Sequence, residues 1–383
     1  MERSQSPQRI AGLDLLRALA IVLVLVAHYP KTGVGLLTRV LNFGWSGVDL
    51  FFVLSGYLIA GQLFAAQASG KPISLAGFYS RRWLRTLPNY YVVLAVYGVL
   101  AAFIGSATPA PVWKYLSFTQ NVGIPRAFTP SWSLCVEEQF YLLFPIIAVL
   151  LARTNKPALT LSVFGGVLLL EVALRAGIWL STRPDRLPEP YALATYMGTL
   201  YYPTWCRLDG IALGVGLAAV KCYRPGIWQR LMAKGNLLLA ASLLFLGASV
   251  LAFWTRYSFL GSTLGFTLLS FSFALLTCSV LSSRGLLAGR SIPGARPLAL
   301  LSYAIYLTHS LAIEASASLA ASFGVSLQSA TGIGLAGITM LLFAVLLYYT
   351  VERPGLALRD RLLSARKPTA SQSILKPALE AGN

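Results

Sequence analysis

Apolar runs, each about as long as a bilayer-crossing helix, recur from Gly12 to Tyr349. In hydrocarbon every backbone N–H and C=O must be satisfied within the protein, so continuous runs of this length fold as helices packed in a bundle. Ten runs separate, near residues 11–28, 45–65, 87–105, 132–151, 158–179, 201–220, 236–254, 259–282, 298–321 and 329–350. The expected fold class is all-α, a polytopic membrane protein with a bundle of about ten transmembrane helices. One membrane domain is expected over residues 1–365, with a polar, disordered tail over 366–383. Charged residues are 11% of the chain, against about 25% in soluble domains, so no separate soluble domain is expected. The first run carries charges and no small-residue cleavage site follows it, so it is expected to remain as a span.

The formal net charge of +18 would point to nucleic acid in a soluble protein. Here the basic residues crowd into alternate loops. If the N-terminus is inside, the inner segments hold Arg9, Lys71, Arg81, Arg82, Arg85, Lys156, Arg230 and Arg290, among others, and the tail adds Arg366. The outer loops hold fewer, including Lys31, Arg126, Arg183 and Arg256. This bias predicts both termini in the cytoplasm. The expected location is the inner (plasma) membrane. Nucleic acid is not an expected partner. Cys135, Cys206, Cys222 and Cys278 stand singly, without metal-ligand spacing, and read as small buried hydrophobes. No metal is expected.

Ionisable groups inside such runs are costly and mark polar interiors. The stretch GLDLLRALAIVLVLVAH carries Asp14, Arg17 and His28. Helical geometry brings Arg17 and His28 within about 20° of one stripe and separates them by roughly 16 Å. The bland alternative is a structural Asp–Arg pair with a histidine at the membrane interface. In GWSGVDLFFVLSGYLIAG, Gly47, Gly56, Gly61 and Ser55 read as close-packing positions. Asp49 in the same run needs a partner. FYSRRWLRTLP puts Arg82 and Arg85 on one face, a grouping that suits phosphate but also serves as a positive-inside anchor.

TPSWSLCVEEQFYLLFP opens the fourth run, with Thr129 or Ser131 as the expected helix cap. Ser133, Glu137 and Tyr141 fall on one face, Glu138 about 100° away, and at least one glutamate must face a polar interior. In WCRLDGIALGVG, Arg207 and Asp209 face apart, so each is expected to find a partner on another helix. Glu171 and Arg175 form a possible i, i+4 pair. LSYAIYLTHSLAIEAS carries Tyr303, Tyr306 and His309. The loop 106–131 is expected to dip back into the bundle. No GxSxG turn, P-loop or HExxH occurs.

Taken together, these stretches resemble the membrane acyltransferase 3 family of integral-membrane O-acyltransferases, over about residues 8–356. The residues that carry the likeness are GLDLLRALAIVLVLVAH, GVDLFFVLSGYLI, FYSRRWLR, SWSLCVEEQFYLLFP, RLDGIALG, LSYAIYLTHS and VERP, in the family's order. The resemblance implies a ten-helix bundle and an acyl donor, usually acetyl-coenzyme A, arriving from the cytoplasm. It implies transfer to a hydroxyl, often of a cell-surface or lipid-linked carbohydrate, in some members of a small molecule such as a macrolide. The chain reads as the stand-alone type, without the C-terminal soluble hydrolase-like domain of larger members.

Under that resemblance the catalytic candidates are His28, Glu137 and Asp14. Arg17, Arg82 and Arg85 are the candidates for binding the acyl-CoA donor. Asp49, Ser133, Glu138, Tyr141, Arg207, Tyr303 and His309 are the candidates for binding substrate. Imidazole suits a base that takes the acceptor's proton, and His28 could equally carry the acyl group itself. Glu137 or Asp14 would orient it or balance its charge. The rival from another class is a transporter or flippase. That class often shows inverted repeats and paired broken helices, and the sequence has neither.

Overall fold

The computed structural model describes residues 10–30, 36–70, 73–104, 111–125, 128–154, 157–255 and 257–364. The expected disordered tail and Arg9, Lys31, Lys71, Arg126, Lys156, Arg256 and Arg366 lie outside the described residues. Among the described residues there are helices and no strand. The principal helices are α1 (Ala11–His28), α2 (Gly47–Ala68), α3 (Leu75–Ile104), α4 (Ser131–Arg153), α5 (Pro157–Thr182), α6 (Asp209–Tyr223), α7 (Gly235–Ala252), α8 (Phe266–Leu281), α9 (Ala295–Ser322), α10 (Ala330–Leu347) and α11 (Arg353–Ser364).

Eight of them, counted with the turns that continue them, are long and apolar enough to cross a membrane: α1, α2, α4, α5, α7, α8, α9 and α10. The helices at the other two expected spans, α3 and α6, depart from that pattern for physical reasons. α3 starts at Leu75 rather than near residue 87, because FYSRRWLR is too polar to read as a span yet helical enough to continue the helix. α6 starts at Asp209 rather than near 201 and has only 15 residues. Pro203 has no N–H to donate into a continuing helix and is itself extended, so residues 197–208 break into short turns.

The bundle closes through small residues. A Cβ at Gly56 would sit 2.2 Å from the Ile211 carbonyl oxygen, and one at Gly214 would sit 2.2 Å from that of Val53. α2 and α6 therefore touch backbone to backbone, as small residues allow in lipid. Gly47 does the same against α1, with the Ala20 oxygen at 2.3 Å, whereas Gly61, expected to act likewise, has nothing within 4 Å. α1 runs along α9, α9 along α10, α7 along α8, and α11 lies against the basic first half of α3. Leu169 and Leu170 on α5 and Leu244 and Leu251 on α7 are exposed, an outward apolar surface that only hydrocarbon accommodates. The chain is an integral membrane protein. Residues 111–125 do dip back: Gln120 and Asn121 are buried, bonding Tyr90 Oη at 3.1 Å and Thr204 Oγ1 at 2.8 Å.

Candidate active site

A cavity of about 180 Å³ opens between α1, α2, α3, α4 and α9. Its wall includes Arg17 from α1, Phe51, Ser55 and Gln62 from α2, and Arg82, Arg85 and Thr86 from α3. α4 adds Ser133, Glu137, Glu138 and Tyr141, and α9 adds Ser302, Tyr303 and Tyr306. The helical stripe predicted for α4 thus lines the cavity, and Glu138 joins it. The opposite face of α4, with Leu142, Leu143, Ile146 and Ile147, is exposed.

Glu137 is answered within the bundle. Ser55 donates its hydroxyl hydrogen to Glu137 Oε1, and Tyr141 Oη donates to Ser55 Oγ at 3.0 Å. The Arg82 guanidinium lies 3.7 Å above the Tyr141 ring, and the Thr86 hydroxyl donates to the Arg82 carbonyl at 3.2 Å. Arg82 is half-buried over the Tyr141 ring, while Arg85 is exposed at the cavity's edge. Arg81 is exposed and does not line the cavity. Arg17 reaches the wall with Asp14 3.9 Å behind it. Glu352 is buried beside α3, where Asn89 Nδ2 donates to it at 3.0 Å.

At the far end Tyr306 spans the cavity. Its hydroxyl donates to the Pro130 carbonyl at 3.1 Å and bonds Ser133 Oγ at 2.5 Å, and the Phe51 ring lies 6.2 Å away. His309 follows three residues later on α9, about 4.5 Å further along the axis. Its ring meets that of His28 edge to face, with centroids 4.7 Å apart. His28 Nδ1 lies 2.9 Å from the Val24 carbonyl, and His309 Nδ1 lies 2.7 Å from that of Tyr306. A carbonyl only accepts, so each neutral ring carries its hydrogen on Nδ1 and its lone pair on Nε2. The two histidines stand just beyond the cavity rather than on its wall.

Other expected site residues lie elsewhere. Asp49 bonds Arg207 at 2.8 Å, and the guanidinium is boxed by Trp132, Tyr201 and Phe266, whose ring centroids are 5.1, 4.6 and 4.3 Å away. This pair clasps α2 to the start of α6, and neither residue lines the cavity. Arg175 grips Asp209 with both terminal nitrogens instead of pairing with Glu171, because the bidentate geometry is the stronger one. Glu171 accepts the Leu208 backbone N–H. The expected cap of α4 is absent: Ser131 donates to the Phe128 carbonyl and Thr129 to that of Pro125. The sequence reading passed over Ser55, Gln62, Thr86 and Tyr306 as site residues. Ser55 carried no signal, since its partner is on another helix; Tyr306 shared the stripe of His309 and was the readable one.

A family model described as an acyltransferase domain matches residues 10–349. The chain belongs to the acyltransferase 3 family. Among its relatives, the peptidoglycan O-acetyltransferase OatA of Listeria monocytogenes is 30% identical over 238 residues, covering 56% of this chain and 34% of the relative. The O-acetyltransferase OatA of Staphylococcus aureus is 28% identical over 342 residues, covering 81% of this chain and 51% of the relative. The chain thus spans between a third and about half of the length of these curated relatives. No solved structure matches it.

Proposed function

We propose that this acyltransferase moves an acyl group, acetyl by analogy with its relatives' names, from coenzyme A to a hydroxyl of a cell-surface or lipid-linked carbohydrate. One observation carries the reading: a single cavity has Arg17, Arg82 and Arg85 on its wall and ends one helical turn short of a histidine pair. At about 180 Å³ it is smaller than the roughly 300 Å³ at which whole small-molecule sites begin. It suits the slender acyl-bearing arm of the donor, with the phosphates left at the edge near Arg85, where guanidinium groups bind them well. The basic-loop bias supports cytoplasmic termini in the inner membrane, and so a donor arriving from the cytoplasm.

In this reading the acceptor's O–H proton passes to His28 Nε2 as its oxygen attacks the thioester carbonyl. The C–S bond breaks, coenzyme A leaves as the thiolate, and the proton returns to that sulfur. The products are the ester and the free thiol. Glu137, held by Ser55, keeps the cavity polar.

The test is acyl transfer by purified protein from acetyl-CoA to carbohydrate acceptors, followed by thiol release and by acetate on the acceptor. His28→Ala should lower turnover by about 10²–10⁴-fold with donor binding retained. Near-normal turnover in that variant would remove His28 from the reaction. Transfer to a macrolide but to no carbohydrate would move the acceptor class to small molecules.

A further inference from the structure

The two histidines are the whole histidine content of the chain, and α1 and α9 bring them ring to ring. His309 is fully buried. Its Nδ1–H is committed to the Tyr306 carbonyl, and its Nε2 has no hydrogen-bond partner among the described residues. Buried acceptors are nearly always satisfied, so an orphaned one marks a place where a donor is expected. The ring packed against it is that of His28, the group that becomes charged during transfer in the reading above. When His28 accepts a proton it becomes an imidazolium with a hydrogen on each nitrogen. The Nδ1–H stays donated to the Val24 carbonyl, and the new charge arises against the His309 ring. A second cation there would repel the first.

We infer that His309 is the positioning residue of His28: a neutral ring that holds the base in place and whose Nε2 lone pair stabilises the imidazolium formed during transfer. The inference rests on the reading of His28 as the base. A ring that merely fills space between α1 and α9 would serve as well with no acceptor, and this separates the two roles.

Three variants test it in purified protein of equal folded yield. His309→Phe keeps a ring and removes the acceptor; His309→Gln keeps a neutral acceptor of similar reach; His28→Ala combined with His309→Phe closes the cycle. His309→Phe is expected to lower kcat about 10–100-fold while the KM values for donor and acceptor stay within about threefold. His309→Gln should remain within about fivefold of wild type, and in the His28→Ala background His309→Phe should cost less than about twofold more. If His309→Phe does not insert, His309→Leu replaces it in both arms. Full kcat without the acceptor, a Gln variant as impaired as Phe, or a double variant losing the product of the single losses would each overturn the inference. Wild-type transfer and its collapse in His28→Ala test the underlying reading separately. If both hold and the losses multiply, only the role of His309 falls.

Discussion

Glu137 accepts the Ser55 hydroxyl across the contact between α2 and α4, and Tyr141 donates to the same Ser55 oxygen at 3.0 Å. This chain is how a carboxylate is tolerated in the middle of a membrane bundle. Ser55→Ala removes the donor and strands Glu137 Oε1, at a cost of roughly 1–3 kcal/mol for a buried acceptor left unmatched. The variant should unfold at lower temperature in detergent. Adding Glu137→Gln should recover part of that loss, because an amide is cheaper to bury than a charge. A Ser55→Ala protein as stable as wild type would mean that the chain is not holding Glu137.

Arg82 and Arg85 are three residues apart on α3 and have different tasks. Arg85 is exposed at the cavity edge, so Arg85→Ala should leave folded yield unchanged and raise the KM for the acyl donor about tenfold, with little change for the acceptor. Arg82 lies 3.7 Å above the Tyr141 ring. Arg82→Ala removes the cation stacked on Tyr141, and the loss should appear first as stability, on the order of 0.5–2 kcal/mol. Paired thermal melts and donor titrations decide this. A stable Arg82→Ala protein with weakened donor binding would give Arg82 the phosphate role as well.

The apolar periodicity made most of this bundle readable, because a bilayer punishes any other arrangement of such runs. The stripes on α1 and α4 were readable for the same reason: a helix fixes which of its own residues share a face. What one helix cannot reveal is what it meets. That Asp49 needed a partner followed from its cost in lipid, but that the partner was Arg207 did not. Likewise nothing in the pattern paired His28 with His309, or gave Ser55 a glutamate. The Glu171–Arg175 pairing was a same-helix guess that a bidentate partner on α6 displaced. The first half of α3 was hidden because hydropathy marks a membrane edge, not a helix end.

The contact between α2 and α6 predicts a sharp contrast between two glycines of α6. A Cβ at Gly214 would meet the Val53 oxygen at 2.2 Å and the Tyr57 nitrogen at 2.7 Å, both backbone, so neither can swing away. Gly214→Ala should force the helices apart and cost at least about 1–3 kcal/mol. At Gly216 a Cβ meets nothing within 4 Å, and Ala there should be neutral or mildly stabilising by helix propensity. Detergent-solubilised yield and thermal midpoint of the two variants measure the difference. Equal behaviour would mean that the helices do not pack this closely.

The Asp49–Arg207 pair lets the two readings of these residues, substrate contact and helix clasp, be separated by one pair of variants. With both side chains almost wholly buried and bonded at 2.8 Å, removing one leaves an uncompensated charge inside an aromatic box. Asp49→Ala should therefore cost roughly 3–5 kcal/mol and show as lost folded protein. Replacing both, as Asp49→Leu with Arg207→Met, removes the charges together and should recover most of the yield, since apolar replacements of a buried pair are often neutral. Neither residue lines the cavity, so the recovered double variant should keep the wild-type KM for the acceptor. A double variant that folds and melts like wild type yet has lost acceptor affinity would return Asp49 and Arg207 to the substrate site, and the cavity would have to extend past Phe52 and Trp132 to reach them.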